Sequence, residues 1–364
     1  MKYTEKQIKK VLKNVNSPAT GKDVVSSGIL QDIRINGNNI ELTLVFQKSN
    51  DPHIEIIAKA CRGIIKKEVG EEAEVTTTVK AHDIVETNSA PGNIKNIICV
   101  ASGKGGVGKS TVAANLAVAL ANKNYKTGLV DADIFGPSIP KMFNIEQDKA
   151  YAVKKNGKDV IVPVEKYNVK VLSIGFFVDP GNAVIWRGPM ASNALKQLIN
   201  DTDWGGLDYL VVDLPPGTSD IHITLVQTVP VTGAIIVSTP QQVALADAVK
   251  GINMFRTDKI DVPVLGLVEN MAWFTPEELP DKKYYIFGKE GCKNLANKMN
   301  TELLGQIPIV QSIMEDGDDG TPSALDENTK KGKAFTQLAD RVVEAVEKRN
   351  KEQAPTQKTD ITNH

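Results

Sequence analysis

Gly103-Lys104-Gly105-Gly106-Val107-Gly108-Lys109-Ser110 decides the fold. The stretch fits G-x-x-x-x-G-K-[ST], and its neighbours are the ones that pattern requires. An apolar run, Ile97-Ile98-Cys99-Val100-Ala101, leads into it. A helix-forming run, Ser110-Thr111-Val112-Ala113-Ala114-Asn115-Leu116, leaves it. The glycines let the backbone wrap a phosphate so that its N–H groups point inward. The helix N-terminus adds positive potential. The pattern predicts a site for ATP and Mg²⁺. Lys109 reaches the β- and γ-phosphates and Ser110 ligates the metal. Gly103, Lys104, Gly105, Gly106, Val107, Gly108 and Thr111 complete the cradle.

Around the loop, the chain reads as buried strands separated by helices. Apolar runs recur at Thr127–Val130, Val169–Ser173, Tyr209–Val212, Ala234–Val237, Val264–Val268 and Leu303–Gly305. Helical stretches fall at Lys109–Asn122, Met190–Asn200, Gln241–Phe255 and Ala334–Glu347. That alternation predicts an α/β domain over 94–348 with a mainly parallel sheet covered on both faces. Ligands of such sheets gather at the carboxyl ends of strands. Asp131-Ala132-Asp133 and Asp213 stand at two such ends. Asp213 is placed to hold magnesium and Asp133 to orient the attacking water. Taken singly, each aspartate also suits a helix cap or a turn.

Residues 1–80 read as a small α+β unit. Ile8, Val11, Leu12 and Val15 give a helix near Glu5–Val15 one apolar face. Strands follow near Gly28–Ile35 and Ile40–Gln47, joined by Asn36-Gly37-Asn38-Asn39, a strong hairpin turn. A helix starting near Pro52 is expected to bury Ile56, Ile57, Ala60 and Ile64, and Glu74–Val79 is the last strand. Residues 81–93 read as a linker closed by Pro91-Gly92. Residues 349–364, following on from Lys348, read as a polar, disordered tail.

Composition narrows the function classes. In 364 residues, 41% hydrophobic and 24% charged is ordinary for a globular protein. A formal net charge of −1 gives no drive toward nucleic acid or anionic lipid. Cys61, Cys99 and Cys292 are odd in number and far apart, which fits a reducing cytoplasm rather than a disulfide framework. No stretch approaches the roughly 20 apolar residues of a membrane span, and the start has no apolar signal core. The expectation is a cytoplasmic protein with neither nucleic-acid nor membrane partners.

The motifs also carry a resemblance. Lys104-Gly105-Gly106-Val107-Gly108-Lys109-Ser110-Thr111 is similar to the deviant Walker A loop of the SIMIBI ATPases, the group of MinD, ParA and the nitrogenase iron protein. Four further stretches resemble the Mrp/ApbC branch of iron–sulfur cluster carriers. They are Asp131-Ala132-Asp133-Ile134-Phe135-Gly136-Pro137-Ser138, Arg187-Gly188-Pro189-Met190, Asp213-Leu214-Pro215-Pro216-Gly217-Thr218-Ser219-Asp220 and Glu269-Asn270-Met271. The first domain resembles the SufT/PaaD-like domain often fused in front of that branch. The resemblance implies a homodimeric ATPase that binds a [4Fe–4S] cluster and transfers it to apoproteins, aided by assembly factors. It implies that Lys104 crosses to the partner's nucleotide, that Asp133 positions water, that Asp220 belongs to a switch segment and that Asn270 reads the adenine edge.

One departure stands against the cargo. Carriers of this branch usually hold the cluster with a C-x-x-C pair shortly after the Asn-Met. Counted from Asn270, those places fall on Pro276 and Leu279, which bind no iron. The first domain has Asp51-Pro52 where a cysteine often precedes the proline. The ligands of a cluster are therefore unassigned. A second reading is a positioning ATPase of the MinD/ParA type that carries no cluster. The polar C-terminus and balanced charge disfavour it. A third is a regulatory nucleotide-binding module whose output is partner binding.

Overall fold

A computed structural model describes the chain outside residues 1–2, 17–22, 28, 47–52, 71, 82–92, 135, 156–157, 178–187, 219, 259, 277, 280–281, 357 and 359–364. It divides into two units, Met1–Thr87 and Asn88–His364. Most of the expected linker lies outside the described residues.

The first unit runs α1 (Glu5–Leu12), β1 (Leu30–Asn36), β2 (Asn39–Phe46), α2 (Ile54–Glu68) and β3 (Glu74–Ala81). Thr4 starts α1 with a capping box, its hydroxyl accepting from Gln7 N–H while the Gln7 side chain accepts from Thr4 N–H. The expected hairpin forms. Asn36 pairs with Asn39, and Gly37 takes the left-handed φ of +62° that the two-residue turn needs. β3 lies parallel to β2. The face of α2 is a correction. Ile57, Ala58, Cys61 and Ile65 are buried, whereas Ile56 is 59% exposed and Ala60 also faces water. Two adjacent isoleucines left the rotation of the helix ambiguous in sequence. Packing against Ile8, Leu12 and the sheet residues Ile40, Leu42 and Leu44 settles it.

The second unit opens with β4 (Asn96–Ala101), α3 (Lys109–Asn122), β5 (Thr127–Asp131) and α4 (Ile139–Met142). A hairpin of β6 (Tyr151–Lys155) and β7 (Lys158–Val162) follows, then β8 (Val164–Lys166) and β9 (Val169–Ser173). Next come α5 (Gly188–Asn200), β10 (Tyr209–Asp213), α6 (Asp220–Thr228), β11 (Gly233–Ser238), α7 (Gln242–Phe255), β12 (Val264–Glu269), α8 (Gly291–Lys298), β13 (Leu303–Gln306), α9 (Gln311–Asp319) and α10 (Lys330–Glu352). The large sheet has the order β13-β12-β11-β4-β10-β5-β9-β8. Its neighbours are parallel except β8, which is antiparallel to β9. The expected mainly parallel α/β architecture is therefore present.

The C-terminus differs from expectation. α10 continues through Glu352, past the predicted boundary at 348, and Arg349 is buried. Its guanidinium donates to Ala354 O (2.8 Å) and Thr356 Oγ1 (3.1 Å), which draws the start of the polar tail onto the domain.

β4 sits in the middle of the sheet, flanked by β10 and β11. The chain leaves β4 at a point where its neighbours were laid down later in sequence, which opens a crevice at the strand ends. α3, which follows, is buried nearly throughout and packs against β4, β5 and β10. A helix apolar all round belongs in the core. The loop between β4 and α3 is thus held at both ends by the most buried elements of the domain.

Candidate nucleotide site

The loop's glycines are required by what surrounds them. A side chain at Gly103 would meet the backbone carbonyl of Asp247, with Cβ 2.1 Å from its carbon. Gly108 has φ +78°, and a Cβ there would sit 2.1 Å from the Asn270 amide. The loop passes between α7 on one side and the end of β12 on the other. Asn270 closes that packing, its Nδ2 donating to Val107 O at 2.9 Å, and it is buried. The Ser102 hydroxyl donates to Lys104 O at 2.9 Å and braces the start of the turn.

The cavity of about 250 Å³ over the loop is lined by the run from Lys104 to Thr111 together with Asp133, Ser138, Met142 and Pro216. The structure therefore brings together most of the residues singled out in sequence. Gly103 lies behind the loop and Asn270 beneath it. Asp213 lies under the floor, fully buried, and meets Lys109 Nζ at 2.6 Å. Lys109 Nζ is also 3.2 Å from Ser110 Oγ. Lys104 is only partly buried and has no carboxylate partner among the described residues. Arg187 and Ser219 lie outside the described residues, and Asp220 opens α6.

Sheet register explains the aspartates. Asp213 of β10 pairs with Asp131 of β5, and Asp131 pairs with Ser173 of β9. Three polar side chains thus line up at adjacent strand ends. Asp131 accepts from Ser173 Oγ (3.1 Å), from Ile139 N–H (3.2 Å) and from Asp133 N–H (3.2 Å). It is a buried brace for the Asp133 segment. Its carboxyl is pushed well above the usual range, first by burial and then by the nearby Asp213. Burial also raises Asp213, opposed by the Lys109 ammonium. Asp213 Oδ2 is buried without a hydrogen-bond partner. An orphaned carboxylate oxygen beside Ser110 fits a hydrated divalent cation, because buried polar atoms without partners are costly. Met142 and Ser173 belong to no motif, and Ser138 and Pro216 lie in motif stretches that assign them no role. The fold brings Ser138, Met142 and Pro216 to the cavity wall, and strand order brings Ser173 to Asp131.

The cysteines are all buried. Burial raises the Cys61 thiol to about 11 and pushes Cys99 and Cys292 up further. No group of three or more His, Cys, Asp or Glu side chains suited to a metal ion occurs among the described residues. No helix among them is long and apolar enough to cross a membrane.

Comparison with known proteins agrees with this geometry. The family described as NUBPL iron-transfer P-loop NTPase matches residues 93–343, and an iron–sulfur cluster assembly protein family matches residues 5–77. The chain is 40% identical over 336 residues to an iron–sulfur cluster carrier protein of Synechocystis sp., covering 91% of this chain and 95% of that one. It is 46% identical over 263 residues to the iron–sulfur cluster transfer protein NUBPL of Dictyostelium discoideum, covering 72% and 80%. A nucleotide-binding protein solved in complex with ADP, from Archaeoglobus fulgidus, is 37% identical with a TM-score of 0.56, covering 64% of this chain and 89% of that one. The cell division ATPase MinD of Pyrococcus furiosus, 23% identical with a TM-score of 0.50 over 69% of this chain and 99% of that one, shares the fold. A phosphate loop seated between α7 and β12, with matches running through both units, shows that the chain belongs to the NUBPL iron-transfer P-loop NTPase family.

Proposed function

We propose that the chain binds and hydrolyses ATP at the 103–111 loop and uses that cycle to transfer iron–sulfur clusters to apoproteins. The observation that carries the ATPase half is the buried contact between Lys109 and Asp213 under a cradle of backbone N–H groups. Magnesium, held by Ser110 and through water by Asp213, would neutralise charge on the phosphates. Lys109 leaves Asp213 for the phosphates when ATP enters. Asp133 orients the attacking water. Asn270, with Nδ2 committed to Val107, keeps Oδ1 for the adenine amino group. Lys104 reaches the nucleotide of a second copy in a homodimer, placing a cation on developing phosphate charge.

The cargo half rests on the family. The three thiols do not fit it, because each is buried and protonated, and Pro276 and Leu279 occupy the cysteine places. No step of transfer is assigned to them. That burial favours a second reading, in which ATP controls partner binding and the cluster never rests on this chain. A MinD/ParA-like positioning role is disfavoured by the match to carriers through both units.

Anaerobic reconstitution with iron and sulfide, run with and without ATP, separates the two readings. Uptake of four irons per dimer supports the carrier. ATP turnover without any uptake assigns the partner-binding role. Absence of turnover sinks both.

A further inference from the structure

A larger cavity, about 850 Å³, lies between the segment after β12 and the first turn of α10. Its floor is a continuation of the sheet. Ile307 N–H donates to Glu269 O (2.8 Å), Ala272 N–H to Ile307 O (2.9 Å) and Ile309 N–H to Trp273 O (2.7 Å). Phe274 and Tyr284 exchange a further pair of backbone bonds at 2.8 Å. This strip starts next to Asn270, which holds the phosphate loop, and it presents Trp273, Pro276, Pro308 and Ile309 to the cavity.

The other wall is unusually charged. α10 begins Lys330-Lys331-Gly332-Lys333 and has no acidic residue in its first turn. Cations at a helix N-terminus oppose the helix dipole, which favours anions there. Lys331 is neutralised by Asp316 and donates to Ser312 O. Lys330 and Lys333 are exposed and have no carboxylate partner among the described residues. Across the cavity, Lys283 Nζ stands 3.7 Å from the centre of the Trp273 ring, again without a carboxylate among the described residues. A chain with a net charge of −1 thus gathers, around one apolar floor, three ammonium groups that have no carboxylate partner among the described residues.

We propose that this cavity is the docking cleft for an acidic peptide segment of a partner protein, whose carboxylates meet Lys283, Lys330 and Lys333 while its apolar side chains cover Trp273, Pro308 and Ile309. A phosphate ion would answer the charge and leave the floor wet, so the mixed lining selects a segment bearing both kinds of group. Charge of this sort sets encounter rate and specificity. The cleft does not depend on whether the chain carries a cluster.

The test is a binding screen of the full-length protein against ten-residue peptides. One pool has three carboxylates and at least two large apolar residues per peptide; a matched pool has lysines in place of the carboxylates. Peptides from the acidic pool are expected to bind, and to lose at least tenfold in affinity to the K330E/K333E protein. K330R/K333R is expected to retain binding. Both variants should keep parental ATP turnover, which certifies the fold and is read separately from docking. Selection of no acidic peptide over its basic counterpart overturns the proposal. So does equal binding to K330E/K333E, or full displacement by millimolar inorganic phosphate, which would mark a small-anion site instead.

Discussion

The side-chain amide of Asn270 donates to the carbonyl of Val107 at 2.9 Å, tying the end of β12 to the middle of the phosphate loop. Both partners are buried. Asn270→Ala leaves that carbonyl unsatisfied, at a cost of about 1–3 kcal/mol. The variant is expected to melt several degrees lower and to bind ATP more weakly, because the loop is less well fixed. Calorimetry and nucleotide titration check this; parental values in both would mean that Val107 is held by other contacts.

Lys109→Ala removes the cation from a buried carboxylate. Breaking such a pair costs up to ~3–5 kcal/mol, some of it relieved if Asp213 takes up a proton. ATP turnover is expected to fall to background and ATP binding to weaken. Phosphate release under saturating Mg-ATP is the assay, and residual turnover near the parental rate would remove Lys109 from the site.

Lys104→Ala has a different signature. Its ammonium makes no ion pair among the described residues, so the melting temperature should stay within about 1 °C. Turnover is expected to fall by at least tenfold, because charge on the developing phosphate is lost. Mixing Lys104→Ala with Lys109→Ala protein should restore part of the turnover if the lysine acts across protomers. No recovery on mixing would place Lys104 in its own subunit's site.

Asp208 supplies a pH test outside the site. Lys95 Nζ donates to its Oδ1 at 2.8 Å and Lys126 N–H to its Oδ2 at 2.9 Å. These bonds, the one from Lys95 foremost, hold its carboxyl below the ordinary value. A lowered folded value contributes stability that is present above about pH 4 and is lost as pH falls through the folded value. Asp208→Asn should therefore melt below the parent at pH 7, with the gap narrowing as pH falls below about 4. A gap that stays constant across that range would show that the charge is not the source.

The three thiols should be silent in the native state. All are buried, and burial keeps them protonated at pH 8. A colorimetric thiol titration is expected to register almost nothing until denaturant is added, and then three equivalents per chain. Rapid native labelling of any one would reopen the question of cluster ligation.

The phosphate loop and the seven apolar strands were legible because buried parallel strands read as uninterrupted apolar runs, and because the glycine spacing has one use. Other features depend on partners that are distant in sequence. The order of strands sets Asp213 beside Asp131 and Asp131 beside Ser173, and no local pattern encodes it. The β6–β7 hairpin escaped notice because Lys154, Lys155, Lys158 and Asp159 interrupt its apolar alternation. Glu269 reads as an ordinary strand-end carboxylate. In the fold it accepts from Cys292 N–H (2.6 Å) and from the Gln306 amide (2.7 Å), joining α8 and β13 just behind Asn270.

The large sheet ends on one side in β8, three residues long, antiparallel to its neighbour and bearing Glu165 and Lys166. It ends on the other in the four-residue β13. Short ends, the β8 one also bearing charge, offer little backbone for another chain to extend. A domain whose central strands are almost wholly apolar is thereby protected from edge-to-edge aggregation. Concentrated solutions should stay clear for as long as the sheet keeps its native borders.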